Sequence, residues 1–217
     1  MEKVVNGGLV IENGVVVGVE SVMEVIIPDG VTSIENRVFF GCEHLTSITI
    51  PDSVTYIGDK AFYKCVNLTS INISNGVTEI GDYAFSGCKK ITGIVIPDSV
   101  TYIGAGAFKN CTSLQSITLP DTVEELSCSC FEKCIRLATI ILPYGVVFIK
   151  DHAFFDCKRL ENITIPDSVT YIGDYAFANC TRLTSITIPE SVIDLADSVV
   201  AGSINLTSIT LPKRFRT

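Results

Sequence analysis

Apolar residues recur along this chain in short alternating bursts, and the bursts return every 23 residues. Aligned at that step, one row reads Leu45, Leu68, Ile91, Leu114, Leu137, Leu160, Leu183 and Leu206, and a second runs from Ile48 through Ile117 and Ile163 to Ile209. A third, two residues further on, runs from Ile50 to Leu211. The segment Leu-Thr-Ser-Ile-Thr-Ile alternates as a strand with one buried face should, and a proline closes it at 28, 51, 97, 120, 143, 166, 189 and 212, with Ser74 in the one missing place. A fixed period of this length marks a solenoid, whose units bury their apolar faces only against their neighbours. Nine such strands in register, the first near Val25 to Ile27, predict a parallel sheet about 38 Å long at about 4.8 Å per strand.

The rest of each unit supplies corners. Pro51-Asp52-Ser53 reads as a turn, since proline presets φ and aspartate bonds its own backbone. Val54 and Ile57 then point inward, and Gly58-Asp59 before Ala61, Phe62 and Cys65 predicts one short helical turn capped by the aspartate. The phenylalanine row is 39, 62, 85, 108, 131, 154 and 177, ending in Val200. Residues 1–22 stand outside the repeat: Leu9-Val10-Ile11 and Val15-Val16-Val17 flank Asn13-Gly14, a hairpin signal, so this segment is expected to cap the first strand edge. Residues 23–217 are expected to form one continuous solenoid domain. Its last unit decays: Ser203 replaces Cys, and Lys213-Arg214-Phe215-Arg216-Thr217 is too short to cover Leu206, Ile209 and Leu211. That end is expected either to self-associate or to fold Phe215 back as a lid.

Units such as LTSITIPDSVTYIGDYAFANC resemble the BspA-like, or Treponema-type, class of leucine-rich repeats over residues 25 to 212. The resemblance implies an α/β solenoid, a right-handed leucine-rich-repeat superhelix with its parallel sheet on the concave side. It also implies a protein or carbohydrate ligand on that face, often in adhesion, and a place on the cell surface or in secretion; the chain itself shows no signal peptide, and cytoplasmic residence is the alternative. A fold of this kind hosts diverse roles, so no particular partner follows.

Composition narrows the classes further. A net charge of −8 argues against a nucleic-acid partner, which would draw on a basic patch. No apolar run approaches the length needed to span a bilayer, so no membrane insertion is expected. Nine cysteines look like a disulfide framework until their places are read: 42, 65, 88, 111, 134, 157 and 180 occupy one position in seven successive units. Neighbouring Cα atoms would lie near disulfide range, yet each sits beside a buried phenylalanine, so reduced structural thiols are expected.

Cys128 and Cys130 break that pattern. With Cys134 and His152 nearby they raise zinc ligation or a cysteine nucleophile with a histidine base. Register argues against both, because Cys130 takes the buried alanine place and Cys128 the exposed place filled elsewhere by Asp59 or Asp174. The acids Asp29, Asp52, Asp98, Asp121, Asp167 and Glu190 leave the strands on one rim, where turn duty outweighs calcium binding. Lys89, Lys90, Arg136, Lys158, Arg159 and Arg182 line the opposite rim, which makes the solenoid electrically sided. Six N-x-S/T sequons, at Asn67, Asn72, Asn110, Asn162, Asn179 and Asn205, read as by-products of the repeat. Exposed Thr and Ser rows could order water against ice, but a concave sheet matches a flat crystal poorly. No catalytic residue, metal or cofactor is expected.

A binding surface is expected where the outward Thr/Ser pattern fails. Val95 and Ile141 replace one Thr, Gln115 and Ala138 another, and Tyr144 replaces Asp on the rim, with Thr118, Glu161 and Asn162 beside them. Outward departures that gain nothing for the core are candidates for function. The competing roles are a structural spacer, which near-identical solvent faces would favour, and a Cys128/His152 enzyme.

Overall fold

Most 23-residue units contribute two strands rather than the expected one. The structure of the protein, a computed structural model, describes residues 3–6, 8–19 and 22–216. Met1, Glu2, Gly7, Glu20 and Ser21 of the expected cap, and Thr217 of the tail, lie outside the described residues. The expected strand is present in the predicted register, with Val25 beside Ile48, Ile48 beside Ile71, Ile94 beside Ile117 and Ile186 beside Ile209, all parallel. It is not one continuous sheet: among the described residues the pairing falls into groups of three, two and two strands, and between them a single bridge, Thr139 to Asn162, is formed.

The second strand is two residues long. Ser33–Ile34, Tyr56–Ile57, Glu79–Ile80 and Tyr102–Ile103 pair in sequence, and Glu125–Leu126, Phe148–Ile149, Tyr171–Ile172 and Asp194–Leu195 continue after an interruption. Parallel pairing at a fixed step of 23 residues makes the chain a parallel-sheet β-solenoid. Its core is a stack of identical side chains. The seven phenylalanines Phe39 to Phe177 are fully buried, and their rings lie nearly parallel at centroid spacings of 4.9–5.7 Å.

The expected helical turn is absent, and the hydrogen bonds show why. Alternate amides of Asp59 to Cys65 point along the solenoid: Lys60, Phe62 and Lys64 donate to Asp82, Ala84 and Ser86 of the next rung. The amides between them close four-residue turns, Ala61 onto Gly58 and Cys65 onto Phe62, with Lys60 and Lys64 at positive φ. A helix would need those donors four residues back. Aspartate still caps, but across rungs: Asn36 Oδ1 accepts from Asp59 N, Asp59 Oδ1 from Asp82 N and Asp82 Oδ1 from Ala105 N, at 2.6–2.8 Å. This close approach explains the glycines at 58, 81, 104 and 173, each packed on the Asn or Asp of the preceding rung. A Cβ on Gly104 would sit 2.5 Å from Asp82 Oδ1 and 2.6 Å from Asp82 N. Where the preceding rung offers Ala105 or Cys128 instead of an aspartate, the glycine place is taken by Ser127 and Lys150.

Strands β1 (Lys3–Asn6), β2 (Leu9–Glu12) and β3 (Val15–Val19) form the N-terminal cap, an antiparallel hairpin extended by one strand. Asn13 and Gly14 take the positive φ that their turn demands. β3 joins the sheet of two-residue strands, Val16 beside Ile34, so the cap shields that edge and not the edge at Glu24–Ile26.

At the other end a 3-10 turn over Lys213–Phe215 folds back. Phe215 packs against the core, and Glu190 holds the turn by accepting from Lys213 N at 3.2 Å. A cavity of about 510 Å³ remains between Ile188, Leu195, Val199, Ile209 and Phe215, and Ile209 is 46% exposed where Ile186 is 2%. Truncation after Leu211 is expected to lower stability by about 1–2 kcal/mol and to strengthen self-association in sedimentation velocity. Unchanged stability and mass would remove the lid.

Candidate ligand-binding face

The hydroxyls of the strand face serve the rungs before they serve any ligand. Thr46 donates to Met23 O, Thr69 to Thr46 O and Thr207 to Thr184 O, at 2.9–3.1 Å, one rung back each time. The Thr55, Thr78 and Thr101 row repeats the arrangement. Against this grammar Gln115, Ala138 and Glu161 stand in the Thr46 place of three consecutive units, and each loses the hydroxyl bond, worth about 0.5–1.5 kcal/mol. Their backbones stay in step, Gln115 N donating to Thr92 O and Glu161 N to Ala138 O.

The exposed apolar residues lie in the middle one of these units, at Ile141 and Tyr144, and in the unit before all three, at Val95. Val95 is 67% exposed, Ile141 85% and Tyr144 84%. Val95 pairs directly with Thr118, and Asn162 with Thr139. Gln115, Thr118, Glu161 and Asn162 are exposed and Ala138 half-buried, while Glu161 meets Arg182 Nη1 at 2.9 Å. Seven of the eight predicted residues thus lie in the strand-face segments of four successive units, and Tyr144 in the turn that follows one of them. Beside them a groove of about 590 Å³ opens between Asn72, Asn75, Val95, Asp98 and Thr118, at the interruption between Ser70–Asn72 and Gly93–Val95. Sequence reasoning missed Asn72, Asn75 and Asp98 as groove residues, because the interrupted pairing leaves no mark in the repeat.

Tyr144 is displayed by its neighbours. Its amide donates to Asp121 Oδ1 at 3.2 Å, and Gly145 lets the turn press against the previous rung, where a Cβ would meet the Asp121 carbonyl at 2.0 Å. Asp121 therefore performs turn duty, as Glu190 does toward Lys213. No group of three or more potential metal ligands converges among the described residues.

The cysteine ladder is more than apolar filler. All nine thiols are free, and Cys65, Cys88, Cys111, Cys134, Cys157 and Cys180 each donate Sγ–H to the phenylalanine carbonyl 26 residues back, at 2.9–3.3 Å. Ser203 makes the same bond to Phe177 O through its hydroxyl. Burial pushes the thiols of Cys65, Cys111 and Cys180 up to about 12, and those of Cys88, Cys134 and Cys157 well above the ordinary range. Cys130 is buried and raised for the same reason, the opposite of an activated nucleophile. Cys128 is exposed, but the ring of His152 stacks on Tyr175 at 5.2 Å and tilts against Phe155, on its own and the following rung. His44 shares a cavity of about 370 Å³ with Cys42, whose thiol burial also raises. Two sequons are structural: Asn67 and Asn205 donate their amides to Glu43 O and Thr181 O.

The profile of the BspA type leucine-rich repeat region matches residues 10–134 and 103–217, with 6 copies. The chain belongs to this family. Among solved structures, a leucine-rich repeat protein from Bacteroides ovatus is 34% identical with a TM-score of 0.73, over 97% of this chain and 64% of its own. The T. pallidum leucine-rich repeat protein is 30% identical with a TM-score of 0.74, over 84% of this chain and 87% of its own. A leucine-rich repeat protein from Eubacterium ventriosum is 26% identical with a TM-score of 0.69, over 91% and 62%. This chain therefore spans about two thirds of the Bacteroides and Eubacterium proteins. No curated protein sequence matches. Like other BspA-type arrays, the chain is a repeat-based binding or structural module, and no helix among the described residues is long and apolar enough to cross a membrane.

Proposed function

We propose that this BspA-type array is a non-enzymatic recognition module that binds a protein or glycan through the strand face around Val95, Thr118, Ile141 and Tyr144. One observation carries the reading: Ile141 and Tyr144 are turned to solvent in the unit where Ala138 gives up the rung-to-rung hydroxyl, Gln115 and Glu161 give it up in the two units that flank it, and exposed Val95 stands in the unit before Gln115. A spacer would keep its solvent faces alike and its ladder whole. An aromatic and two aliphatic side chains beside a groove are the anchors that interface hot spots favour. Adhesion at the cell surface, or after secretion, is the setting in which such a face meets its partner. Antibody against the chain is expected to label intact source cells, and signal only after permeabilisation would place it inside.

The test restores the repeat. Ile141→Thr with Tyr144→Asp is expected to keep the unfolding midpoint while lowering affinity at least about tenfold for a partner found on a panel of glycans and extracellular proteins. Unchanged affinity for every hit would move the site off this face.

A further inference from the structure

The two-residue strands form a second face, on different sheets from the strand face around Val95. Rings and carboxylates share its outward place: Tyr56, Glu79 and Tyr102 pair in register, and after the interruption Glu125, Phe148, Tyr171 and Asp194 do so. Lys150 shows what such a face takes. Its Nζ lies 4.7 Å from the Phe148 ring centroid and 5.1 Å from that of Tyr171, with Glu125 Oε2 at 3.4 Å. Two units earlier the surroundings recur without the cation. Tyr102, 47% exposed, has Glu79 opposite it on one side and Glu125 across the interruption on the other. The place of Lys150 is there Gly104, and no side chain can stand in it, because a Cβ would sit 2.5 Å from the Asp82 Oδ1 that accepts from Ala105 N. Lys150 is admitted because the preceding rung carries Cys128 where Asp82 would stand. At the interruption a cavity of about 430 Å³ opens between Thr101, Tyr102, Thr122, Glu124 and Glu125. Glu79 and Glu124 are exposed and make no ion pair among the described residues.

We propose that this face docks a lysine- or arginine-bearing segment of a partner protein, with one basic side chain seated over Tyr102 between Glu79 and Glu125. The ligand supplies the cation where the fold forbids one of its own, and Lys150 is the pattern for how it sits. A ring beside carboxylates suits an ammonium or guanidinium. It does not suit a metal ion, for which no group of three or more ligands converges among the described residues. A single small amine would meet only the cavity at Tyr102, whereas the acidic surroundings continue to both sides. Burial, then Asp59, Glu79 and Glu35, raise the Tyr56 hydroxyl above its ordinary range, and burial, then Asp151, Asp194 and Asp174, raise that of Tyr171. From Tyr56 to Asp194 the face runs about 29 Å at about 4.8 Å per rung, a length that a polypeptide with several cations matches and one amine does not. The inference lies beyond the strand-face reading and stands on other residues.

The experiment titrates the full chain with oligolysine, with the same peptide acetylated on every side chain, and with spermine, at low and higher salt. Oligolysine binding that weakens with salt and exceeds that of both other probes is the expected result. Glu79→Gln with Glu124→Gln is expected to lower its affinity at least about tenfold. Asp29→Asn with Asp167→Asn, the same charge change on the rim of the other strands, is expected to lower it less than about threefold. Tyr102→Phe is expected to keep the affinity and Tyr102→Leu to lose about threefold or more, because the ring and not the hydroxyl takes the cation. Lys150→Ala, which vacates the resident place over Phe148 and Tyr171, is expected to bind more tightly. Every substituted side chain is exposed or half-buried, and the urea midpoint checks that each variant is folded. No oligolysine binding at low salt, an equal loss in the rim pair, or indifference to Tyr102→Leu would each overturn the docking face. Spermine binding as tightly as the peptide would overturn the partner protein as its occupant.

Discussion

Phe108→Ala is expected to lower the stability of the array by about 3–5 kcal/mol, the usual cost of emptying a fully buried aromatic site. Phe108 is completely buried, with ring centroids 5.6 Å from Phe85 and 5.7 Å from Phe131, so its loss removes a ring contact on both sides at once. The turns around it are held along the axis by Phe108 N donating to Cys130 O, which keeps the neighbouring rungs from collapsing into the hole. Phe108→Leu, nearer in volume, is expected to cost less, about 1–2 kcal/mol. Because each rung contacts only its neighbours, the weakened rung becomes a seam. Urea unfolding followed by circular dichroism is expected to show a lower midpoint, and protection from hydrogen exchange is expected to fall first in rungs 85 to 131. A loss under 1 kcal/mol for the alanine variant would mean that the ring stack contributes no more than its separate side chains.

Much of this architecture is legible because repetition multiplies weak signals. A single Ile-Thr-Ile says little, but eight copies at a fixed step place Ile48 beside Ile71 and Ile94 beside Ile117 without further assumptions. What repetition cannot show is any conformation whose residues read equally well two ways. Asp59 through Cys65 carries a helix-cap signature, yet its alternate amides find better partners on the next rung than four residues back. Tyr56–Ile57 is too short to display the alternation that betrays a strand. The interruptions of the sheet are also silent in the pattern, so the groove beside Val95 was not foreseen, whereas Val95, Ile141 and Tyr144 were visible as breaks in an otherwise regular solvent face. Glycine gives the most direct reading of tertiary contact in the sequence alone. It stands at 58, 81, 104 and 173, each after a rung bearing Asn36, Asp59, Asp82 or Asp151, and is replaced by Ser127 and Lys150 after Ala105 and Cys128. Ala196 after Asp174 is the exception, at the unit where the repeat decays.

Alkaline pH is expected to unfold the solenoid cooperatively, and the thiol ladder sets the window. Desolvation raises the folded thiols of Cys65, Cys111 and Cys180 from an ordinary 9.0 to about 12. A proton held by the folded state but released by the unfolded one makes stability fall as pH rises. The thiol contribution is whole below pH 9 and is lost progressively as pH climbs toward 12, at about 1.4 kcal/mol per pH unit for each thiol. Three thiols alone give a slope of about 4 kcal/mol per pH unit, enough to exhaust an ordinary domain stability of about 5–15 kcal/mol within the window. Cys88, Cys134 and Cys157 act in the same direction, as do Tyr56 and Tyr102, which are raised by burial and neighbouring carboxylates. The thiols are separable from every other alkaline group by substitution, because Ser203 shows that a hydroxyl occupies the ladder and keeps the bond to the phenylalanine carbonyl. Cys111→Ser with Cys134→Ser is therefore expected to remain folded at neutral pH and to move the alkaline midpoint upward, with the stability slope between pH 9 and 11 reduced by about 1.4 kcal/mol per pH unit for each thiol removed. At neutral pH a thiol reagent is expected to modify Cys128 promptly and the ladder only on unfolding. A slope unchanged in the double variant, or prompt modification of Cys111 in the folded chain, would show that the ladder thiols are not held protonated by burial.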